Sequence, residues 1–380
     1  MSDDRGQAAP AAAPPRKQRL LLHVGLFLAT FLTTTATGAL HAHGNWTPSL
    51  SDIAPIKHGL PYSVPLMLIL LCHELGHYFT ARRHGVDASL PFFIPLPPGF
   101  GLGTLGAVIG MRDVTTDRKK LIDVGAAGPL AGLIVAIPVL LIGLKLSPVK
   151  ALPGFGFQEG NSLLYALLKW IVTGQWLPDG HSDVDIHPIA FAGWAGLLVT
   201  MINLLPIGQL DGGHIASAYF GNGYNRFARR LHRLLPLGAL AVLIWVYFTL
   251  QREAGSAWNQ SAGVRFAFEA ASPWVIWYVL VSLMRVLSPG DYHPPVDDKP
   301  LPRSRRGLFW LMVVVFAAVF MPVPTRVTLV GLEGAVRAEE QKQKQLQEQQ
   351  KAERQAQQKA QQAPPQPTAP PPPNPPPSQP

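Results

Sequence analysis

The sequence carries little charge. Only 14% of its 380 residues are Asp, Glu, Lys or Arg, whereas a soluble domain carries about 25%. It also has a single cysteine, Cys72, which excludes an internal disulfide framework. Hydrophobic residues make up 48% of the chain. The composition therefore argues against a soluble globular protein and against a disulfide-stapled secreted domain, and it favours a membrane protein.

The apolar residues occur in long blocks, several of which reach the roughly 20 residues that cross the hydrocarbon core of a bilayer. The blocks are Leu20–Leu40, Tyr62–Thr80, Leu121–Leu146, Pro188–Leu205, Leu234–Leu250, Pro273–Val286 and Leu308–Val323. The last three are short, so the count stays at six or seven. We predict an all-α polytopic membrane protein of about six to seven transmembrane helices. A membrane-associated hairpin or loop is expected between the second and third.

The connections between the apolar blocks are alternately rich and poor in basic residues. Arg16, Lys17 and Arg19 precede the first block, whereas only Lys57 follows it. This pattern is typical of a cytoplasmic N-terminus, and it explains the net charge of +9 without a nucleic-acid partner. A cleaved signal peptide is the alternative for the first block. Its apolar stretch of about 20 residues is longer than the usual 7–15 and favours a retained span.

The second block contains the pentapeptide HELGH, which places His73, Glu74 and His77 inside an apolar segment. Histidines four residues apart project from one face of a helix, as a pair of zinc ligands requires. Glu74 is turned aside by about 100° and can reach a water molecule on the metal. A pair of satisfied core histidines is the alternative. Ionisable groups within a membrane span are costly, however, and usually have a function.

Zinc bound by two histidines needs a third protein ligand and an open position. Asp211 is the candidate, because it stands at the end of a later block in "NLLPIGQLDGGH". There Pro206 interrupts the helix and glycines permit a sharp turn. Both blocks run from outside to inside in the predicted topology, so the three side chains end at the same level. An ordinary turn aspartate is the alternative.

The two motifs together resemble the site-2 protease family of intramembrane zinc metalloproteases. The family's second motif, N-x-x-P-x-x-x-x-D-G, is matched by Asn203, Pro206, Asp211 and Gly212. The resemblance covers roughly residues 20–290. The stretches "PFFIP", "GTLGAVIG" and "DVGAAGPLAG" are similar to the plastid and cyanobacterial-type branch of the family.

The resemblance implies one zinc ion per chain, bound by His73, His77 and Asp211. It implies that Glu74 is the catalytic base of a zinc metalloendopeptidase whose substrates are transmembrane segments of other proteins. Within the family pattern, no PDZ-like insertion is expected in the connection from Ser147 to Ile186, which is poor in strand signals. No nucleotide-sensing domain is expected after the last span.

Further candidates follow from the same stretches. Asn203 is suited to hydrogen-bond an oxyanion or, equally, to clamp two helices, and His214 is suited to orient a ligand. The stretch "FFIPLPPGFGLGTLGAVIGMRD" is too rich in Pro and Gly for a spanning helix. It predicts a membrane-dipping hairpin whose edge pairs with an unwound substrate, or an interfacial loop that plugs the cavity.

We divide the chain into a disordered cytoplasmic N-terminus (1–19), a transmembrane metalloprotease domain (20–323, catalytic core about 62–215) and a low-complexity tail (324–380). The tail is Gln-rich and then Pro-rich, as in a solvated spacer. The expected location is a bacterial inner membrane, with the lipid bilayer and a transmembrane protein substrate as partners. The alternative functions are a membrane metal transporter and an inactive family member that acts as a scaffold.

Overall fold

The computed structural model describes residues 19–43, 54–111, 116–152, 156–255, 258–287 and 291–328. Its helices are α1 (Leu20–His43), α2 (Leu60–Arg83), α3 (Arg118–Lys145), α4 (Leu163–Thr173), α5 (Pro188–Asn203), α6 (Asp211–Phe220), α7 (Tyr224–Ala254), α8 (Gln260–Leu287) and α9 (Arg303–Val319). Its strands are β1 (Phe92–Pro95), β2 (Thr104–Val108), β3 (Val149–Ala151), β4 (Gly156–Glu159), β5 (Ser182–Val184) and β6 (Thr325–Thr328). Most of the two predicted low-complexity ends lies outside these residues, so the predictions for them stay predictions.

Among the residues that the structure describes, five helical segments are long and apolar enough to cross a membrane, and they contain α1, α2, α3, the continuous pair α6–α7, and α8. The prediction of an all-α polytopic membrane protein is confirmed. Each of the seven predicted blocks coincides with a helix. Helices α7 and α8, with 31 and 28 residues, are longer than their apolar blocks. Polar and basic residues extend α7 at its start, and α8 begins at Gln260, well before the predicted Pro273.

Helices α2 and α3 pack along a seam of small residues. A Cβ atom at Gly76 of α2 would lie 2.6 Å from the carbonyl oxygen of Ala127 on α3. Glycine therefore lets the two backbones approach more closely than any other residue would allow. Helix α5 packs against the same pair, with Trp194 and Leu197 in the common core. The histidine-bearing face of α2 is thereby enclosed by neighbouring helices.

An antiparallel hairpin of β1 and β2 lies between α2 and α3, as predicted. It runs along α1. The carbonyl oxygen of Pro91 lies 3.0 Å from Nδ1 of His23, and the hydroxyl of Thr33 donates to the carbonyl oxygen of Gly103 at 2.8 Å. These two contacts are separated by ten helical residues, or about 15 Å of rise. Because irregular backbone at membrane depth needs protein partners, these two contacts with α1 are the kind of support that a membrane-dipping hairpin requires.

The connection between α3 and α5 contains α4 and three short strands. Strand β3 pairs with β5, and β4 pairs with β6 from the far end of the described chain. The sequence offers no sign of these strands, since elements of three or four residues are too short to show alternation. Beneath them, Nζ of Lys169 lies 2.8 Å from Oδ1 of Asp183 and 3.4 Å from Oε1 of Glu159. Lys169 is fully buried, and its ion pairs tie α4 to the strands.

Candidate active site

Three side chains from two distant parts of the chain converge at one point. Nε2 of His73, Nε2 of His77 and Oδ2 of Asp211 lie 3.2 Å from one another in every pair. Both histidines are buried, and the side chain of Asp211 is 15% exposed. Among the described residues, this is the group of histidine, cysteine and acidic side chains whose geometry suits a metal ion.

The spacing of these three atoms fits a metal site. A tetrahedral zinc ion with bonds of about 2.0–2.1 Å separates its ligands by about 3.3 Å. Hydrogen bonding alone accounts poorly for the arrangement, because a neutral imidazole presents one proton, and the two Nε2 atoms face each other as well as the carboxylate. Two imidazole nitrogens and one carboxylate oxygen also form a donor set typical of catalytic zinc sites. That the three residues bind a metal stays a prediction.

Helix α3 fixes the orientation of His77. Its Nδ1 lies 2.7 Å from the carbonyl oxygen of Val124, so the Nδ1–H group donates there and the Nε2 lone pair faces the other donors. Gly128, one turn further along α3, lies directly beneath the ring. A Cβ atom there would collide with Nε2 of His77. This glycine of α3 thus provides the space that the imidazole of His77 occupies.

A tight turn between α5 and α6 delivers Asp211. Helix α5 ends at Asn203. Gly208 adopts φ +69°, a backbone conformation that residues other than glycine rarely adopt. Cβ atoms at Gly212 and Gly213 would collide with the carbonyl oxygens of Leu204 and Gly208. Asp211 is therefore the first residue of α6, held against a turn that these glycines make possible.

A cavity of about 190 Å³ opens beside the three donors. Glu74, Asn203 and His214 line it together with the donors and with the end of the hairpin, from Ala107 to Ile109. Glu74 is 5% exposed. The amide nitrogen of Asn203 lies 3.3 Å from Nε2 of His73. All six candidate side chains thus border one chamber, together with the end of a strand.

His214 has a partner that the sequence does not indicate. Its Nδ1 lies 2.9 Å from Nε2 of His293, a residue only 1% exposed in the segment that follows α8. Nδ1 of His293 lies 3.0 Å from the hydroxyl of Ser217, and its backbone exchanges two hydrogen bonds of 3.1 Å with the amide of Asn225. His293 stands 79 residues from His214 and within no recognisable motif, so only the fold reveals the pair.

The central part of the chain is similar to known proteins. The model of peptidase family M50 matches residues 61–246. The chain is 36% identical over 202 residues to the "Probable zinc metalloprotease EGY1, chloroplastic" of Oryza sativa subsp. japonica, covering 51% of this chain and 34% of that protein. It is 35% identical over 220 residues to the "Probable zinc metalloprotease EGY2, chloroplastic" of Arabidopsis thaliana, covering 54% of this chain and 37% of that protein.

The Arabidopsis protein named "Probable zinc metalloprotease EGY1, chloroplastic" is 34% identical over 215 residues, which is 53% of this chain and 38% of that protein. The chain thus spans little more than a third of the length of these curated relatives. No solved structure matches it significantly. The matched segment includes His73, Glu74, His77 and Asp211, and over that segment the chain is similar to peptidase family M50.

Proposed function

We propose that the chain is an intramembrane zinc metalloprotease that hydrolyses peptide bonds in or near transmembrane helices of other proteins. One observation carries the proposal. Two imidazole nitrogens and a carboxylate oxygen lie 3.2 Å apart on helical segments that are long and apolar enough to cross a membrane, beside a chamber that Glu74 also lines. The relatives named zinc metalloproteases support zinc as the metal.

In this proposal His73, His77 and Asp211 would hold one zinc ion, which when bound would lower the pKa of a water molecule toward about 7. Glu74 lies one residue from the first ligand and lines the same chamber. Its carboxylate accepts the proton of the attacking water and returns it to the leaving amine. Burial of the site excludes bulk water, which strengthens each electrostatic contact within it.

The remaining lining residues have roles toward the substrate. The Asn203 amide donates a hydrogen bond to the carbonyl oxygen that gains charge in the transition state. The edge of β2 near Ala107 and Val108 holds an unwound substrate segment as an added strand. His214, fixed by His293, orients Asp211 from the same helix. A helix must open before this chamber admits its backbone, so readily unwound substrates are favoured.

We place the protein in a bacterial inner membrane with its N-terminus in the cytoplasm. The alternation of basic residues supports the orientation. The names of the relatives place those proteins in chloroplasts. Reporter fusions after residues of α2 and α3, together with fractionation of the host cell, test the orientation and the compartment.

The test of function is cleavage of a panel of helix-destabilised transmembrane substrates by the purified protein in detergent. The central variant is Glu74→Gln, which keeps the shape of the side chain and removes the base. The matched control is Glu269→Gln, the same change on α8 at a side chain that is 41% exposed. Zinc is measured on all three proteins.

We expect zinc in all three proteins and cleavage by the wild type and Glu269→Gln only. A rate for Glu74→Gln equal to that of wild type would refute the assigned base. Zinc binding without cleavage by any of the three would favour a scaffold. Zinc movement across proteoliposomes that survives Glu74→Gln would favour the metal transporter.

A further inference from the structure

A second cavity, larger than the chamber beside His73, lies between the start of α7 and the end of α8. Its volume is about 900 Å³. Three arginines line it: Arg229 and Arg233 from α7, and Arg285 from α8. One carboxylate, that of Asp291, lies among them, so the lining carries an excess of two positive charges. None of these residues borders the candidate active site.

The three arginines differ in whether they are paired with a carboxylate. Arg229 donates to Oδ2 of Asp291 at 2.7 Å, and Nε of Arg285 donates to Oδ1 at 2.6 Å. Each guanidinium has five N–H groups, so both keep donors for a further acceptor. Within the described part of the chain, Arg233 has no ion-pair partner and is exposed. The lining of the cavity therefore contains one guanidinium group without an ion-pair partner among the described residues and two that keep N–H donors for a further acceptor.

Polar and apolar walls meet in this cavity. Ser282 and Tyr278 contribute polar side chains to the lining, and Val286 contributes an apolar one. Leu237, Leu283 and Val286 beside it are 59%, 53% and 81% exposed. Exposed aliphatic side chains on membrane-crossing helices face lipid tails. The cavity thus lies where the bilayer-facing surface of α7 and α8 meets the end of the helices that carries the arginines.

We propose that this cavity binds the phosphate-bearing headgroup of an anionic phospholipid, whose acyl chains lie along α7 and α8. Guanidinium groups bind phosphate oxygens through paired, charge-assisted hydrogen bonds. Basic pockets between transmembrane helices are suited to anionic headgroups, and the inner leaflet of a membrane carries negative charge. The exposed aliphatic side chains Leu237, Leu283 and Val286 favour a lipid over a free phosphate ion, because phosphate has no apolar part that could contact them.

The test is native mass spectrometry of the full chain, released from detergent with added phosphatidylglycerol or with phosphatidylcholine of the same acyl chains. Arg233→Gln removes the free charge and leaves the two contacts to Asp291 intact. Arg230→Gln is the control, because it removes the same charge from α7 at an exposed residue outside the cavity lining. Millimolar inorganic phosphate is added in a further arm.

We expect tighter retention of phosphatidylglycerol than of phosphatidylcholine by the wild type. Arg233→Gln should weaken retention of phosphatidylglycerol about fivefold, the loss expected for one basic residue at an anionic surface, and Arg230→Gln should change it less than twofold. Equal losses in both variants would mean general surface attraction and overturn the proposal. So would the absence of a preference for the anionic lipid. Phosphate that abolishes the preference would assign the cavity to the free ion and overturn the lipid claim.

Discussion

Replacing Gly128 with alanine should remove zinc from the protein while leaving the helices folded. The added methyl group would occupy the place of Nε2 of His77, the atom that meets His73 and Asp211. The backbone of α3 is held against α2 by neighbouring small residues, so the ring is the part that can move. It would have to retreat by on the order of 1 Å to restore van der Waals contact.

That displacement is large for a metal ligand, whose distances must be correct within about 0.2 Å. The ring would also lose its 2.7 Å hydrogen bond to the carbonyl oxygen of Val124. Loss of such a supporting contact alone weakens metal binding about 10–100-fold. We therefore expect Gly128→Ala to lower zinc affinity at least about 100-fold and to abolish cleavage. Overpacking should lower the stability of the metal-free fold by only about 1–3 kcal/mol.

The assay measures zinc per chain after competition with a chelator, cleavage of the substrate panel, and thermal unfolding of the metal-free proteins. Gly25→Ala is the control. It makes the same substitution within a membrane helix, where a Cβ atom has nothing within 4 Å. Normal zinc content and normal cleavage in Gly128→Ala would refute the reasoning. A collapse of the metal-free fold would show that Gly128 serves packing rather than the ligand.

Three further outcomes are expected. Asn203→Ala should lower kcat about 10²–10³-fold with zinc content unchanged if its amide stabilises the oxyanion; a clamp between helices would instead lower the thermal midpoint and spare kcat. Lys169→Met should cost about 3–5 kcal/mol in denaturant unfolding, because Glu159 and Asp183 lose their buried cation. Burial raises the pKa of Asp291, but hydrogen bonds from two arginines outweigh it and lower the pKa overall. Its contribution to stability is therefore present at neutral pH and is lost on acidification, so the midpoints of wild type and Asp291→Asn should converge as the pH falls below about 4.

The parts of the site that the sequence predicts are those with a local signal. Four-residue spacing places His73 and His77 on one helical face, and a motif around Asn203 and Asp211 marks the turn that supplies the third donor. The structure brings these side chains together in one chamber. The seven helices follow in the same way from blocks of apolar residues, whose length reports directly on membrane thickness.

What the sequence does not predict depends on contacts across large separations. His293 reaches His214 from a segment whose composition suggests only a loop. The spacing of the glycines of α3 indicates close helix packing, but it does not indicate that Gly128 lies under the ring of His77. The extensions of α7 and α8 carry basic and polar residues, so the length of the apolar blocks does not predict these parts of the helices.

The pairing of β4 with β6 also constrains how the chain is threaded through the bilayer. Strands that share backbone hydrogen bonds must lie on one side, so the chain crosses an even number of times between Glu159 and Thr325. The continuous pair α6–α7 and helix α8 are long and apolar enough to supply two crossings, so the shorter helices α5 and α9 must either both cross or both not cross. The β3–β5 pair brackets α4 in the same way and excludes it as a crossing. With α1, α2 and α3 added, the described helices cross an odd number of times, and β6 therefore ends on the face opposite to the one where α1 begins.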